Sequence, residues 1–189
     1  MTVEQLQAIF TKKGYVWDAN INVIGVRNKS TNKITNKFDD ALHIAYKEAG
    51  VWKLKSYTIT TDPGRYYTRV KHLSPKGAGR LKEGQYRGVY GLRLHQGKYE
   101  ALCQTWGNVT VYRDDNFDDV YDENKTETGS FGINIHKAGT DSAIVENWSA
   151  GCQVFKRVAD FNDFLSIVKR FKGITGNKYT YTLINTNDL

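Results

Sequence analysis

Only two of the 189 residues are proline, two are cysteine and one is methionine. Two prolines exclude a polyproline segment or a proline-rich linker. Two cysteines, Cys103 and Cys152, allow one disulfide at most. Together with the four histidines they do not fall into the ligand spacing of a zinc site, so no metal and no cofactor is expected. No window reaches the ~18 consecutive apolar residues needed to span a bilayer. The start, Met1-Thr2-Val3-Glu4-Gln5-Leu6, has an early acid and no apolar core of the kind a secretory signal carries. Synthesis in a reducing cytoplasm, with both thiols free, is therefore expected. Phosphate-binding loops, helix-turn-helix patterns and internal repeats are missing as well.

What remains is an ordinary globular profile. Hydrophobic residues make up 40% and charged residues 25% of the chain, which together exclude a disordered or fibrous class. The length fits one domain over residues 1–189 with a core of its own, expected to be a monomer. Twelve tyrosines and an aromatic share of 13% lean toward strands. The net charge of +7 favours an anionic partner such as nucleic acid, a membrane surface or a bacterial wall. The basic residues are scattered, with no run of five, and no nucleic-acid motif accompanies them, so no nucleic-acid partner is expected.

Along the chain, Thr2 and Gln5 form a capping box before Val3, Leu6, Ile9 and Phe10 at helical spacing, which predicts a helix over about 2–13 closed by Gly14. Ile21 to Val26 reads as a strand, and residues 28–37 as a polar loop. Alternation on both sides of Glu48-Ala49-Gly50 predicts a hairpin, followed by the turn Asp62-Pro63-Gly64. Strands follow from Tyr86 to Leu94 and from Tyr99 to Tyr112, the second broken at Gly107-Asn108 as a hairpin would be. The acidic run Asp114 to Asp119 lacks the EF-hand glycine and glutamate and reads as a solvated turn. A helix over about 160–172 has Asp160 as its cap, Phe161, Phe164, Leu165, Val168 and Phe171 as its apolar stripe, and Gly173 as its end. Lys178 to Asn185 alternates as a last strand. Many short strands and two flanking helices around one core predict a mainly β (α+β) sandwich or barrel.

The chemistry concentrates in residues 130–156. Phe131, Ile133 and Ile135 alternate with Gly132, Asn134 and His136, the period of a half-buried strand that ends at the histidine. Beyond a loop, Trp148-Ser149-Ala150-Gly151 sets small residues before Cys152, which lets a carbonyl approach the sulfur and leaves backbone N–H groups for an oxyanion. A cysteine beside a histidine makes a nucleophile, because an imidazole favours the thiolate by ion pairing. Taken singly, Cys152 is as well explained as a core residue and His136 as a strand histidine.

His136, the loop and Ser149-Ala150-Gly151-Cys152 resemble the signature of L,D-transpeptidase catalytic domains, the YkuD-like fold: a histidine, a spacer and then Ser/Thr-His-Gly-Cys. Thr58 to Gly64 resembles the family's early strand and glycine turn, and Gly79 to Tyr86 its Thr-Pro-x-Gly-x-Tyr segment, so the likeness covers roughly residues 55–155. Ala150 stands where the family has a second histidine, the spacer is shorter, and Gln153-Val154 replaces a segment in which many members carry an arginine.

The resemblance implies bacterial peptidoglycan stem peptides as substrate and an acyl-enzyme on Cys152, with His136 as base and the backbone carbonyl of Lys137 orienting it. Backbone N–H groups at Gly151 and Cys152 are expected to hold the oxyanion. Ser149 is expected to steady the loop or the substrate, and Trp148 to be a substrate platform or a core aromatic. Tyr86 falls in the segment that borders the family's site. His95, beside Gln96-Gly97, is expected in an exposed turn, with a place in the cleft as the alternative. With no export signal read from the sequence, a phage lysin-like hydrolase reaching the wall after release or delivery is the expectation. A cross-linking transpeptidase, a non-catalytic wall-binding or structural phage protein and a nucleic-acid-binding β protein are the alternatives.

Overall fold

The computed structural model describes residues 1–29, 32–121 and 125–189. Its elements in order are α1 (Val3–Lys13), β1 (Ile21–Arg27), β2 (Asp40–Glu48), β3 (Val51–Thr60), β4 (Gly79–Leu81), β5 (Gly84–His95), β6 (Tyr99–Gln104), β7 (Val109–Arg113), β8 (Thr126–Gly129), β9 (Ile135–Lys137), β10 (Gln153–Phe155), α2 (Val158–Arg170), the one-turn α3 (Lys172–Thr175) and β11 (Tyr179–Asn185). Eight strands close into a barrel in the order β1-β11-β5-β6-β9-β10-β3-β2, while β4, β7 and β8 form a separate three-stranded sheet. The pairs β1/β11 and β9/β10 are parallel. The expected mainly β architecture is thus present, as a barrel rather than a sandwich.

All seven residues of β1 are buried because both of its faces are covered. Ile21 and Val23 enter the main core, whereas Ile24 and Val26 pack with Ile184 against Leu6, Ile9 and Phe10 of α1. The Thr2–Gln5 capping box forms, and Gly14 closes α1 in the left-handed region. On α2, Phe161, Phe164, Leu165, Ile167 and Val168 join Tyr57, Ile59, Ile135 and Phe155 in the main core.

Four local expectations are corrected. Residue 157, not Asp160, precedes the first turn of α2, and Asp160 sits inside that turn as a charge favourable to the helix N-terminus. The chain does not stop at Gly173 but continues through α3 to Gly176. The turn at Gly107-Asn108 does not close a hairpin: β6 pairs with β5 and β9, β7 with β4 and β8. Between them the N–H groups of Thr105 and Trp106 donate to Val89 O, and the chain crosses from barrel to small sheet. The strand that ends in His136 is only Ile135–Lys137, because Gly132 adopts a φ of 70° and the Phe131 and Ile133 N–H groups donate to Gln104 Oε1 instead of a ladder. The polar loop 28–37 lies partly outside the described residues.

Candidate active site

The site rests on a buried ionic cluster. Arg27, fully buried at the end of β1, donates to Thr61 Oγ1 (2.8 Å), Thr61 O (3.0 Å), Leu81 O (2.8 Å) and Glu83 Oε1 (3.1 Å). Its Nε lies 3.4 Å from Asp62 Oδ1, and Arg80 grips the same carboxylate through Nε (2.7 Å) and Nη2 (3.2 Å). Asp40 accepts the Thr61 N–H and hydroxyl, and burial followed by the neighbouring Asp62 charge raises its pKa. Removing a buried charge from its partners is costly, so the cluster fixes the Asp62-Pro63-Gly64 turn.

That turn holds the cysteine loop. Gly64 donates its N–H to Ser149 O (2.8 Å), and a Cβ on Gly64 would fall on the Glu146 carbonyl, so only glycine allows this approach. Ser149 is 1% exposed; its Oγ–H donates to Cys152 O (2.9 Å) and its Oγ accepts the Gly151 N–H (3.1 Å). Ser149 therefore steadies the loop, the first of its two expected roles, through a local hydroxyl turn. Gly151 has a φ of 125°, and a Cβ there would meet the carbonyl of Gly79. Its N–H, expected free for an oxyanion, is spent on Ser149.

Parallel pairing of β9 with β10 sets His136 opposite Val154 and brings it and Cys152 to one cleft of about 400 Å³. Trp148, Ala150, Phe131, Asn134, Arg113 and Tyr67 line the same space. The His136 Nδ1–H donates to Lys137 O at 2.9 Å, the carbonyl that the family resemblance implies. A carbonyl only accepts, so Nδ1 carries the proton and Nε2 the lone pair. The Tyr99 hydroxyl stands 3.4 Å from both His136 Nδ1 and Lys137 O.

The sulfur is not bonded to the imidazole. The Cys152 thiol donates to Gly132 O (3.4 Å), and Sγ accepts the Asn134 N–H (3.4 Å). Burial pushes the thiol up to about 11, against the partial relief of the Asn134 N–H. Burial and then the adjacent His95 push His136 down to about 3. No hydrogen bond joins thiol and imidazole, and burial disfavours the charged form of each.

His95 is corrected too: it is 7% exposed, not a solvated turn residue. Its ring stacks on His136 with centroids 4.2 Å apart and planes 19° apart, and it lines the cleft. Trp148 is half-buried, lies on Gly139, packs against the small apolar cluster of Phe38, Ala138, Val145 and Val154, and also lines the cleft. Tyr86 is not brought to the site; its hydroxyl donates to Lys82 O at 2.6 Å and its ring packs on the main core. Sequence reasoning missed two residues. Asn134 shares the alternation face of His136, and Tyr99 faces His95 across the Gln96-Gly97 turn, so both signals were there to read.

Cys103 and Cys152 are both free, Cys103 buried in β6. In the acidic run, Asp114 accepts the N–H groups of Asp118 and Asp119, and Asp119 pairs with Arg69. Among the described residues no group of three or more His, Cys, Asp or Glu is placed to hold a metal ion, and no helix is long and apolar enough to cross a membrane. Comparison with family models, curated proteins and solved structures gave no significant match to this chain.

Proposed function

We propose that the protein is a cysteine-dependent hydrolase of peptidoglycan stem peptides, of the L,D-transpeptidase-like, phage-lysin type. The observation that carries the reading is one cleft lined by Cys152 and by a His136 whose Nδ1–H is tied to Lys137 O, so that Nε2 is the nitrogen left with the lone pair. In this reading Nε2 takes the thiol proton as Sγ attacks a peptide carbonyl, in the substrate complex rather than in the free enzyme. The S–C bond forms, the C–N bond breaks, and the imidazolium returns its proton to the leaving amine. Water then cleaves the thioester and regenerates the thiol.

Hydrolysis is favoured over cross-linking because Ala150, small and on the cleft wall, leaves water room beside the sulfur. One observation favours a non-catalytic wall-binding protein instead: the thiol is bonded to Gly132 O and not to His136. Incubation of purified sacculi separates these readings. Wild-type protein should release soluble peptide fragments and Cys152→Ala should release none. A rise in the cross-linked fraction would replace the hydrolase with a transpeptidase. Binding without release would leave the non-catalytic reading.

A further inference from the structure

The stacked imidazoles of His95 and His136 are held on opposite protons. Asn134 Oδ1 accepts the Gln104 backbone N–H at 2.9 Å, which fixes the amide so that Nδ2 is its donor end. That Nδ2 lies 3.1 Å from His95 Nδ1, which must therefore be the acceptor, so the His95 proton sits on Nε2. His136 is the reverse, with its proton on Nδ1 toward Lys137 O. Among the described residues neither Nε2 has a protein partner, and neither is among the buried unpartnered side-chain atoms, which are Trp17 Nε1, Tyr90 Oη and Asp119 Oδ1. Both therefore have accessible surface on rings that line the cleft, His136 Nε2 as a lone pair and His95 Nε2 as an N–H.

An acyl transfer needs donors where the carbonyl oxygen becomes negative, and a single backbone N–H is a thin provision. Here Ser149 has taken the Gly151 N–H, the second donor that the loop would offer. Asn134 connects the remaining parts: its side chain sets His95, and its backbone N–H touches Cys152 Sγ at 3.4 Å.

We propose that His95, locked as the Nε2–H tautomer by Asn134, is the side-chain oxyanion donor of this cleft and receives the carbonyl oxygen of the acyl group attacked by Cys152. The proposal rests on Cys152 being the nucleophile, but the state of His95 is measurable without any substrate.

Long-range ¹H–¹⁵N spectra of the folded protein near pH 7 report which ring nitrogen carries each proton. The expected result is Nε2–H for His95 and Nδ1–H for His136. Nδ1–H on His95 overturns the proposal whatever the protein's activity. The second arm follows acetylation of Cys152 by p-nitrophenyl acetate, read by mass, beside its alkylation by iodoacetamide, which develops no oxyanion. His95→Phe keeps a stacked ring without the donor. It should slow acetylation at least about ten-fold while alkylation stays within about two-fold. Equal acetylation in wild type and His95→Phe overturns the proposal. A parallel fall in both rates, marking a disturbed thiol, overturns it too. Wild-type protein that is alkylated at Cys152 but never acetylated contradicts the nucleophile reading instead, and leaves the spectra to decide the tautomer.

Discussion

The backbone N–H of Gly64 donates to the carbonyl of Ser149 at 2.8 Å, three residues before the cysteine. A turn at the end of one barrel strand thereby sets the height of the loop that carries Cys152. Gly64→Ala would drive a methyl group into the Glu146 backbone. It should destabilise the fold by roughly 1–3 kcal/mol and lower activity further than stability alone explains. Urea midpoints and sacculus assays on the same samples test this; an unchanged midpoint would contradict the close approach.

Arg27→Met removes the cation from the buried cluster and leaves the Asp62 and Glu83 carboxylates short of a partner. The expected loss is about 3–5 kcal/mol, read as a fall in the urea midpoint. A near-neutral result would mean that the cluster is not what fixes the Asp62-Pro63-Gly64 turn.

Much of this was legible in the chain. The capping box of α1, the hairpin of β2 and β3 and the apolar stripe of α2 follow from local rules that tertiary packing did not override. That His136 and Cys152 come to one cleft was legible as well, because alternation and small residues point both at one place. What failed depends on partners distant in sequence. The chain bends at Trp106-Gly107, but Gln104, donating to Gly107 O and Gly129 O, draws it across to the second sheet. His95 follows a strand and precedes a turn, which reads as exposed, and only β9 lying beside β6 covers it. The thiol and imidazole were expected to be charged because their spacing is legible whereas their desolvation is not.

The neutral thiol has a kinetic consequence. With Cys152 raised to about 11 by burial, its alkylation by iodoacetamide should climb about ten-fold per pH unit between pH 7 and 10. A cysteine–histidine ion pair would instead give a plateau near neutrality. Cys103, raised by burial to about 11 as well and only 6% exposed, should label more slowly through lack of access. Mass mapping after short exposures distinguishes the two sites; faster labelling of Cys103 would contradict the open cleft.

Acid should weaken the fold through its buried imidazoles. His43, its Nδ1 2.7 Å from Ser56 Oγ, is pushed down to about 4, first by burial and then by the N-terminal ammonium. Its folded pKa lies below the unfolded value of ~6.5, so the unfolded chain binds more protons between those limits and stability falls as pH drops through them. Asp40, raised, works the other way and favours the fold at lower pH. His43→Gln should therefore lose roughly 2 kcal/mol less than wild type between pH 7 and 4.5. Parallel losses in the two proteins would exclude His43 as a contributor.

If His136 is the general base, His136→Ala should cut the release of fragments from sacculi at least ~100-fold while Cys152 remains alkylatable. Loss of labelling together with activity would point to a collapsed cleft rather than to a missing base.

In the proposed reaction Cys152 carries the acyl group. Acid-quenching a brief incubation with sacculi and mapping the protein by mass tests it directly. A stem-peptide adduct on the segment containing Cys152, absent in Cys152→Ala and removed by hydroxylamine, is the predicted result. Fragments released by wild type and by Cys152→Ala alike, with no adduct on Cys152, would contradict it.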